Sequence, residues 1–420
     1  MNILLQQVTI ADPNSPHNGN KKDILIVDGI IKAIDNKLNA ENAQAFKAGD
    51  AIVTPGWIDI FAHACDPGYE FRETLETCAE AAAAGGFTRI FTMPDTNPFV
   101  DNKTQVEYIK QKSENLKVQI YPLGSISKKR EGKELAEMYD MQQSGAVAFT
   151  DGLQPVQHAG LFLKALQYVK TFNGIVIQVP QDKSINASGL MNEGIVSTRL
   201  GLQGVPSIAE ELIIARDIEL LQYTDSALHI TGITTEKSIE LIKAAKEKGL
   251  NISCSVTPYH LFFCDEDLQT YDTNLKVNPP LRKRSDMLAL RKAVTDGYVD
   301  CIASHHMPQD WDSKTCEFEY AKPGMIGLQT AYAVVQTVLP GLSPEQIARL
   351  FSLNARKLFR LDESGIREGQ KAELTLFNTT AFTLKKEKIK SKSQNSAFIN
   401  IPLHGNVIGI VSKGKLILNN

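Results

Sequence analysis

Eight short apolar runs alternate with helix-patterned stretches between residues 57 and 304, and this alternation limits the fold more than any other feature of the chain. The runs cover 57–60, 89–93, 118–123, 147–150, 175–179, 227–230, 252–256 and 301–304. Between them lie stretches such as 73–84, stopped by Gly85-Gly86, and 236–248, stopped by Gly249. Strand–helix units repeated in this way indicate an α/β protein built on a (β/α)8 TIM barrel. A doubly wound open sheet would also alternate, but the glycine-rich fingerprint of dinucleotide folds is absent, so the barrel leads.

The two ends of the chain read differently. Short β-like runs at 3–8, 23–27, 30–34 and 51–53 are separated by turns such as Asp12-Pro13-Asn14 and Asp28-Gly29. A matching set lies at 372–377, 407–411 and 415–418. Either set alone is too small to be a domain. The economical expectation is one small, composite, β-sandwich-like domain from residues 1–53 plus 365–420, with the barrel of residues 54–364 inserted between them.

Composition removes several function classes. Hydrophobic residues are 43% and charged residues 22%, as in ordinary globular proteins. A net charge of −3 gives no electrostatic case for nucleic acid. No apolar run reaches the roughly 18–20 residues of a membrane span, and Met1–Gln7 lacks the pattern of a signal peptide. The six cysteines show no Cys-x-x-Cys spacing and read as reduced thiols of a cytoplasmic protein. Lys385–Lys392 is a lysine-rich patch, read as a solvated loop.

In a barrel the chemistry sits after the carboxyl end of each strand. Here those positions carry Phe61, His63 and Cys65, then Pro94-Asp95-Thr96-Asn97-Pro98, Asp151-Gly152, Gln178 and Gly232. The last two strands add Thr257-Pro258-Tyr259-His260 and Ser304-His305-His306-Met307-Pro308-Gln309. A hydrolytic binuclear zinc site wants two first-strand histidines at i and i+2, imidazoles from the middle strands, and a final carboxylate as ligand and base. From residue types alone this set is thin. His63 and Asp151 are plausible ligands; Phe61, Gln178 and Gly232 are poor or impossible ones.

Residues 55–68, Pro-Gly-Trp-Ile-Asp-Ile-Phe-Ala-His-Ala-Cys-Asp-Pro-Gly, resemble the opening motif of type I dihydroorotases, in the amidohydrolase superfamily, except at three places. Gly85-Gly86-Phe87-Thr88, Met93-Pro94-Asp95-Thr96-Asn97-Pro98, Lys276 to Arg282, Pro206 with Glu210, Ala215-Arg216-Asp217 and Ser391 to Asn395 are similarly close. The resemblance runs over nearly the whole chain. It implies the same barrel with a composite β domain, and a pyrimidine-biosynthesis chemistry that reversibly closes N-carbamoyl-L-aspartate to dihydroorotate at zinc.

Carried over residue by residue, the resemblance retains only His63 and Asp151 as metal ligands. Phe61, Gln178 and Gly232 replace histidines, and His305 stands where the family has its ligand and base. Among substrate contacts Asn278 is kept, whereas Cys65 replaces an arginine, Asp95 an asparagine and Gln309 a histidine. Arginine to cysteine forfeits a charge-assisted contact of about 1.5–3 kcal/mol, and Asp95 adds repulsion toward a dianion.

The expectation is therefore a dihydroorotase-like pseudoenzyme without a cofactor. The resemblance implies that it acts as a structural or regulatory partner of aspartate carbamoyltransferase and forms a dimer or larger assembly. The alternative is an active dihydroorotase or other cyclic-amide hydrolase with a rebuilt mononuclear zinc site of His63, Asp151 and His305. Other local readings also stay open at this point. Asp151 equally fits a cap on the turn after its strand. Cys65 and Cys301 read as small buried hydrophobes rather than nucleophiles, and His229 and His260 as satisfied pocket groups. The long segment 307–324, with Trp311, Phe318 and Tyr320, reads as a loop over the mouth.

Overall fold

The computed structural model describes residues 2–419 except 41, 48, 187, 363 and 364. The expected domain boundary at 364/365 therefore touches a residue outside the described ones.

The barrel is present. Trp57–Ala62, Phe87–Thr92 and Gln119–Pro122 pair in parallel, as do Val176–Gln178, Leu228–Thr231, Ile252–Val256 and Cys301–Ile302. Single parallel bridges Gly124–Phe149 and Phe149–Val176 insert the 147–150 segment as the fourth strand, and Ala62–His306 closes the circle. The closure has a side-chain clasp. Asp59 on the first strand accepts from Ser304 N–H at 2.6 Å and from Ser304 Oγ at 2.8 Å.

Helix boundaries follow their caps. Leu75–Ala84 starts after Thr74, whose hydroxyl accepts from Thr77 N–H in a capping box. Glu73, which the sequence pattern places inside this helix, lies before the cap, and its buried carboxylate turns to the barrel mouth. Glu236–Glu247 is capped by Thr235 and ends before Gly249, at φ +80°. No described helix is long and apolar enough to cross a membrane.

Strands from both ends of the chain share one eight-stranded sheet. Its path runs Lys415–Leu418, Pro402–Ser412, Leu374–Thr383, Ile52–Pro55, Asn2–Ile10, Lys21–Val27, Ile30–Asp35, with Ala43–Lys47 parallel to Asn2–Ile10. The apolar run 52–60 is thus two strands of different sheets, Ile52–Pro55 in this one and Trp57–Ala62 in the barrel. The chain breaks at Gly56, where a Cβ would collide with the Thr88 side chain.

A buried ionic network rivets sheet to barrel. Arg89, 1% exposed, donates to Glu373 Oε1 at 2.7 Å and Oε2 at 2.6 Å, and to both oxygens of Asp362 at 2.7 and 3.0 Å. Arg356 adds a 3.0 Å bond to Glu373. Around it Trp57 packs on Phe351, Phe377 and Tyr332 with ring centroids 4.9–5.2 Å apart. Removing Arg89 leaves the buried Glu373 with Arg356 as its one ion-pair partner, and breaking a buried pair in this way costs roughly 3–5 kcal/mol. Arg89→Met should lower the unfolding free energy by about that amount in denaturant titrations. Arg89→Met with Glu373→Leu should recover part of the loss.

Candidate functional site

The mouth of the barrel is built at the strand ends, and aromatic packing comes first. Phe61 is fully buried and stacks on the His305 ring, centroids 4.1 Å apart and planes 20° from parallel. His305 Nε2 lies 2.8 Å from Thr231 Oγ1. Gly232, at φ +69°, leaves room for this ring, because a Cβ there would sit 2.7 Å from His305 Cε1. Three of the sequence-predicted positions therefore form one stacked unit instead of a ligand set. His305 also ends a buried chain of hydrogen bonds: Ser253 to His229 (2.8 Å), His229 to Ser255 (2.9 Å), Ser255 to Thr231 (2.7 Å). Burial, and then the neighbouring His260, His63 and His229, push the His305 pKa well below its ordinary value. His305 is held as a neutral ring.

His63 stands nearby but faces another partner. Its Nδ1 is 2.6 Å from Asp95 Oδ2, while Nε2 is buried with no described partner. Burial would raise the Asp95 pKa, yet the pairing with His63 and the charges of Arg130 and Arg72 bring it below the usual carboxylate range. Arg72 and Arg130 are cations that the sequence reading missed, because both lie in loops outside the quoted motifs. Arg72 Nη1 donates to Gln309 Oε1 at 3.3 Å, and its guanidinium lies 4.8 Å over the Tyr69 ring. Arg130 grips the Asp151 carbonyl through Nε (3.0 Å) and Nη2 (2.9 Å). The charge of Asp95 is therefore compensated inside the mouth.

The retained aspartate does a different job. Asp151 accepts from Ile126 N–H at 2.9 Å, Ser127 N–H at 3.0 Å and Ser127 Oγ at 2.5 Å. It anchors the loop after the third strand and not, as the turn-cap reading had it, the turn after its own. Burial pushes its pKa up to about 6. Gln178 donates to Asp217 at 3.2 Å, and Asp217 in turn pairs with Arg216. Cys65 is buried at φ +60°, and burial pushes its thiol far up, which suits a small hydrophobe better than a nucleophile. Asn278 is half-buried, with no side-chain hydrogen bond among the described residues.

Zinc needs at least three protein donors converging at about 2.0–2.3 Å. Among the described residues no three His, Cys, Asp or Glu side chains are gathered in that way. Asp151 is committed to residues 126–127, and the free nitrogens, His63 Nε2 and His305 Nδ1, are only two, so the donor set falls short of the three that zinc needs.

Two segments cover the mouth. His306 Nε2 lies 3.3 Å from Glu73, which also accepts from Ser391 Oγ, Thr77 Oγ1 and Lys392 N–H. Asn395 Nδ2 donates to Met307 O (3.0 Å) and Gly324 O (3.1 Å). The C-terminal tail thereby straps both ends of segment 307–324, while the lysines of 385–392 stay exposed. Two lysines hold the loop from beneath. Lys276 Nζ reaches Phe318 O (2.7 Å) and Glu319 O (2.9 Å); Lys314 Nζ reaches Thr273 O (2.7 Å) and Lys322 O (2.8 Å). Trp311 and Tyr320 project outward, 73% and 75% exposed.

Comparison with known proteins agrees with the motifs. A family model described as dihydro-orotase-like matches residues 50–238. The dihydroorotase of Acetivibrio thermocellus is 38% identical over 421 residues, covering 99% of both chains. That of Caldicellulosiruptor saccharolyticus is 40% identical over 423 residues, covering 99% of this chain and 98% of its own. Among solved structures, an L-hydantoinase (dihydropyrimidinase) from Arthrobacter aurescens superposes with a TM-score of 0.87 at 21% identity, over 99% of this chain and 96% of its own. A dihydropyrimidinase from Brevibacillus agri gives 0.82 at 20%, over 100% and 95%. At such identity the two structures speak for the fold alone.

Lys314 makes the loop measurable. Burial, then the nearby Lys276, push its pKa down to about 7. Between pH 7 and the ordinary lysine value the unfolded chain binds this proton more than the native one, so stability from this site rises with pH. The unfolding free energy of the wild type minus that of Lys314→Met should grow from pH 7 to 9. A 13Cε-lysine titration should show one resonance with a midpoint near 7 that Lys314→Met removes.

Proposed function

The chain belongs to the dihydroorotase family, and we propose that within it this protein is a pseudoenzyme that keeps the barrel as a scaffold. The observation that carries this is the Phe61–His305 stack seated over Gly232, with His305 Nε2 committed to Thr231. Three positions that would hold zinc in the family are here one packed aromatic unit. A metal would have to displace it and also pull Asp151 from three hydrogen bonds, each worth about 1 kcal/mol net. Asp95 and Cys65 replace the contacts that would grip a dianionic substrate, and Gln309 is tied to Arg72 and Pro323 O.

What remains useful is the folded surface. The pathway placement comes with the family, and the partner we propose is aspartate carbamoyltransferase, with the chain itself dimeric or part of a larger mixed assembly. The covered mouth supports this reading, because the strap and the loop are built for fixed shape and the outward Trp311 and Tyr320 suit a protein contact.

Protein purified with zinc supplied should carry well under one metal per chain and show no cyclisation of N-carbamoyl-L-aspartate. It should co-purify with the aspartate carbamoyltransferase of its own organism. Stoichiometric zinc with turnover that His63→Ala abolishes would sink the scaffold reading in favour of a rebuilt hydrolase. A combined Phe61→His, Gln178→His, Gly232→His and His305→Asp variant should regain zinc. In it, His305→Asp is required to make room at Gly232.

A further inference from the structure

At the end of the barrel opposite the mouth, a cavity of about 790 Å³ is lined by Arg349, Arg356, Lys357, Arg360 and Arg367 and, among the described residues, by no aspartate or glutamate. Its place is set by two hydrogen bonds. Arg356 Nη2 donates to Gly56 O at 3.1 Å and Asn354 Nδ2 to Asp300 O at 2.7 Å, just before the first and eighth strands begin. We propose that this cavity binds a small molecule bearing two or more phosphoryl groups.

Charge makes the case. The chain has 45 Lys and Arg against 48 Asp and Glu, so five cations around one cavity with no carboxylate among the described lining residues are not its background composition. Arg356 is committed to Glu373 and to Gly56 O. The other four side chains have no hydrogen bond or ion pair among the described residues. The described acids close in sequence are already used: Asp362 by Arg89, Glu373 by Arg89 and Arg356, Asp12 by the N–H groups of Asn14 and Ile366, and Glu368 by the N–H of Ile34; Glu363 lies outside the described residues.

A structural reason covers only part of the cluster. Arg356 and Lys357 sit in the last turn of Asn354–Leu358, where cations complement the helix dipole. Arg349 lies two turns earlier in the same continuous helix and Arg367 in a later loop, so neither has this reason to be there. Guanidinium groups match phosphoryl oxygens in paired, charge-assisted hydrogen bonds, and several together favour a ligand of several charges. The volume lies within the roughly 300–1,000 Å³ of small-molecule sites, which favours a small molecule over an acidic protein segment. The site is remote from the mouth and does not depend on whether the mouth holds metal.

Calorimetric titration of the full chain with tripolyphosphate, orthophosphate and oligoglutamate tests this at low and at physiological salt. Tripolyphosphate should bind once per chain, more tightly than the other two, with affinity falling as salt rises. Arg360→Gln with Arg367→Gln should weaken it by about 10-fold or more while leaving the ligand-free unfolding temperature unchanged. Arg349→Gln, further back along the helix, should weaken it as well. Absence of saturable binding, orthophosphate or oligoglutamate binding as tightly as tripolyphosphate, or variants that bind like the wild type would each overturn the proposal.

Discussion

Everything at the mouth depends on the closure of the barrel between its first and last strands. That closure is short on backbone pairing, since Cys301–Ile302 is a two-residue strand and Ala62–His306 a single bridge. The carboxylate of Asp59, fully buried, compensates by holding both the amide and the hydroxyl of Ser304. His63 N–H to His306 O, at 2.8 Å, continues the seam. The same seam brings Phe61 against His305 and His306 against Glu73, so the packing of the site follows from how the circle is shut.

Seen from that seam, Phe61, His305 and Gly232 are one packed unit. An imidazole at 232 and the His305 ring would compete for one volume, and an imidazole at 61 would place a polar ring where an apolar one now stacks. Once Phe61 and His305 pair, Gly232 is the residue that leaves the space. Asp151 has a separate structural task, the anchoring of residues 126–127.

Much of this was legible in the sequence. The eight strand positions could be read because apolar runs of four to six residues, punctuated by glycine, have few other uses in a chain of alternating elements. The family, the strand-end residues and the pairing of the two terminal segments followed from local motifs. Other features were not legible. Glu73 sits one residue outside a helix whose pattern includes it, and only the Thr74 cap separates the two. The break at Gly56 is invisible in an apolar run, because it is the Thr88 side chain, far along the chain, that requires it.

The sequence by itself determined the fold and the inventory of groups at the mouth, since strand periodicity, caps and turn glycines act over a few residues. Only the tertiary structure decided which of those groups meet. His63 could have faced Asp151 or Asp95, and His305 could have faced a metal or Thr231; the choices were made by barrel closure and by desolvation. Buried imidazoles and carboxylates take whatever hydrogen-bonding partner the packing brings within about 3 Å, and that distance is written in no single stretch of chain.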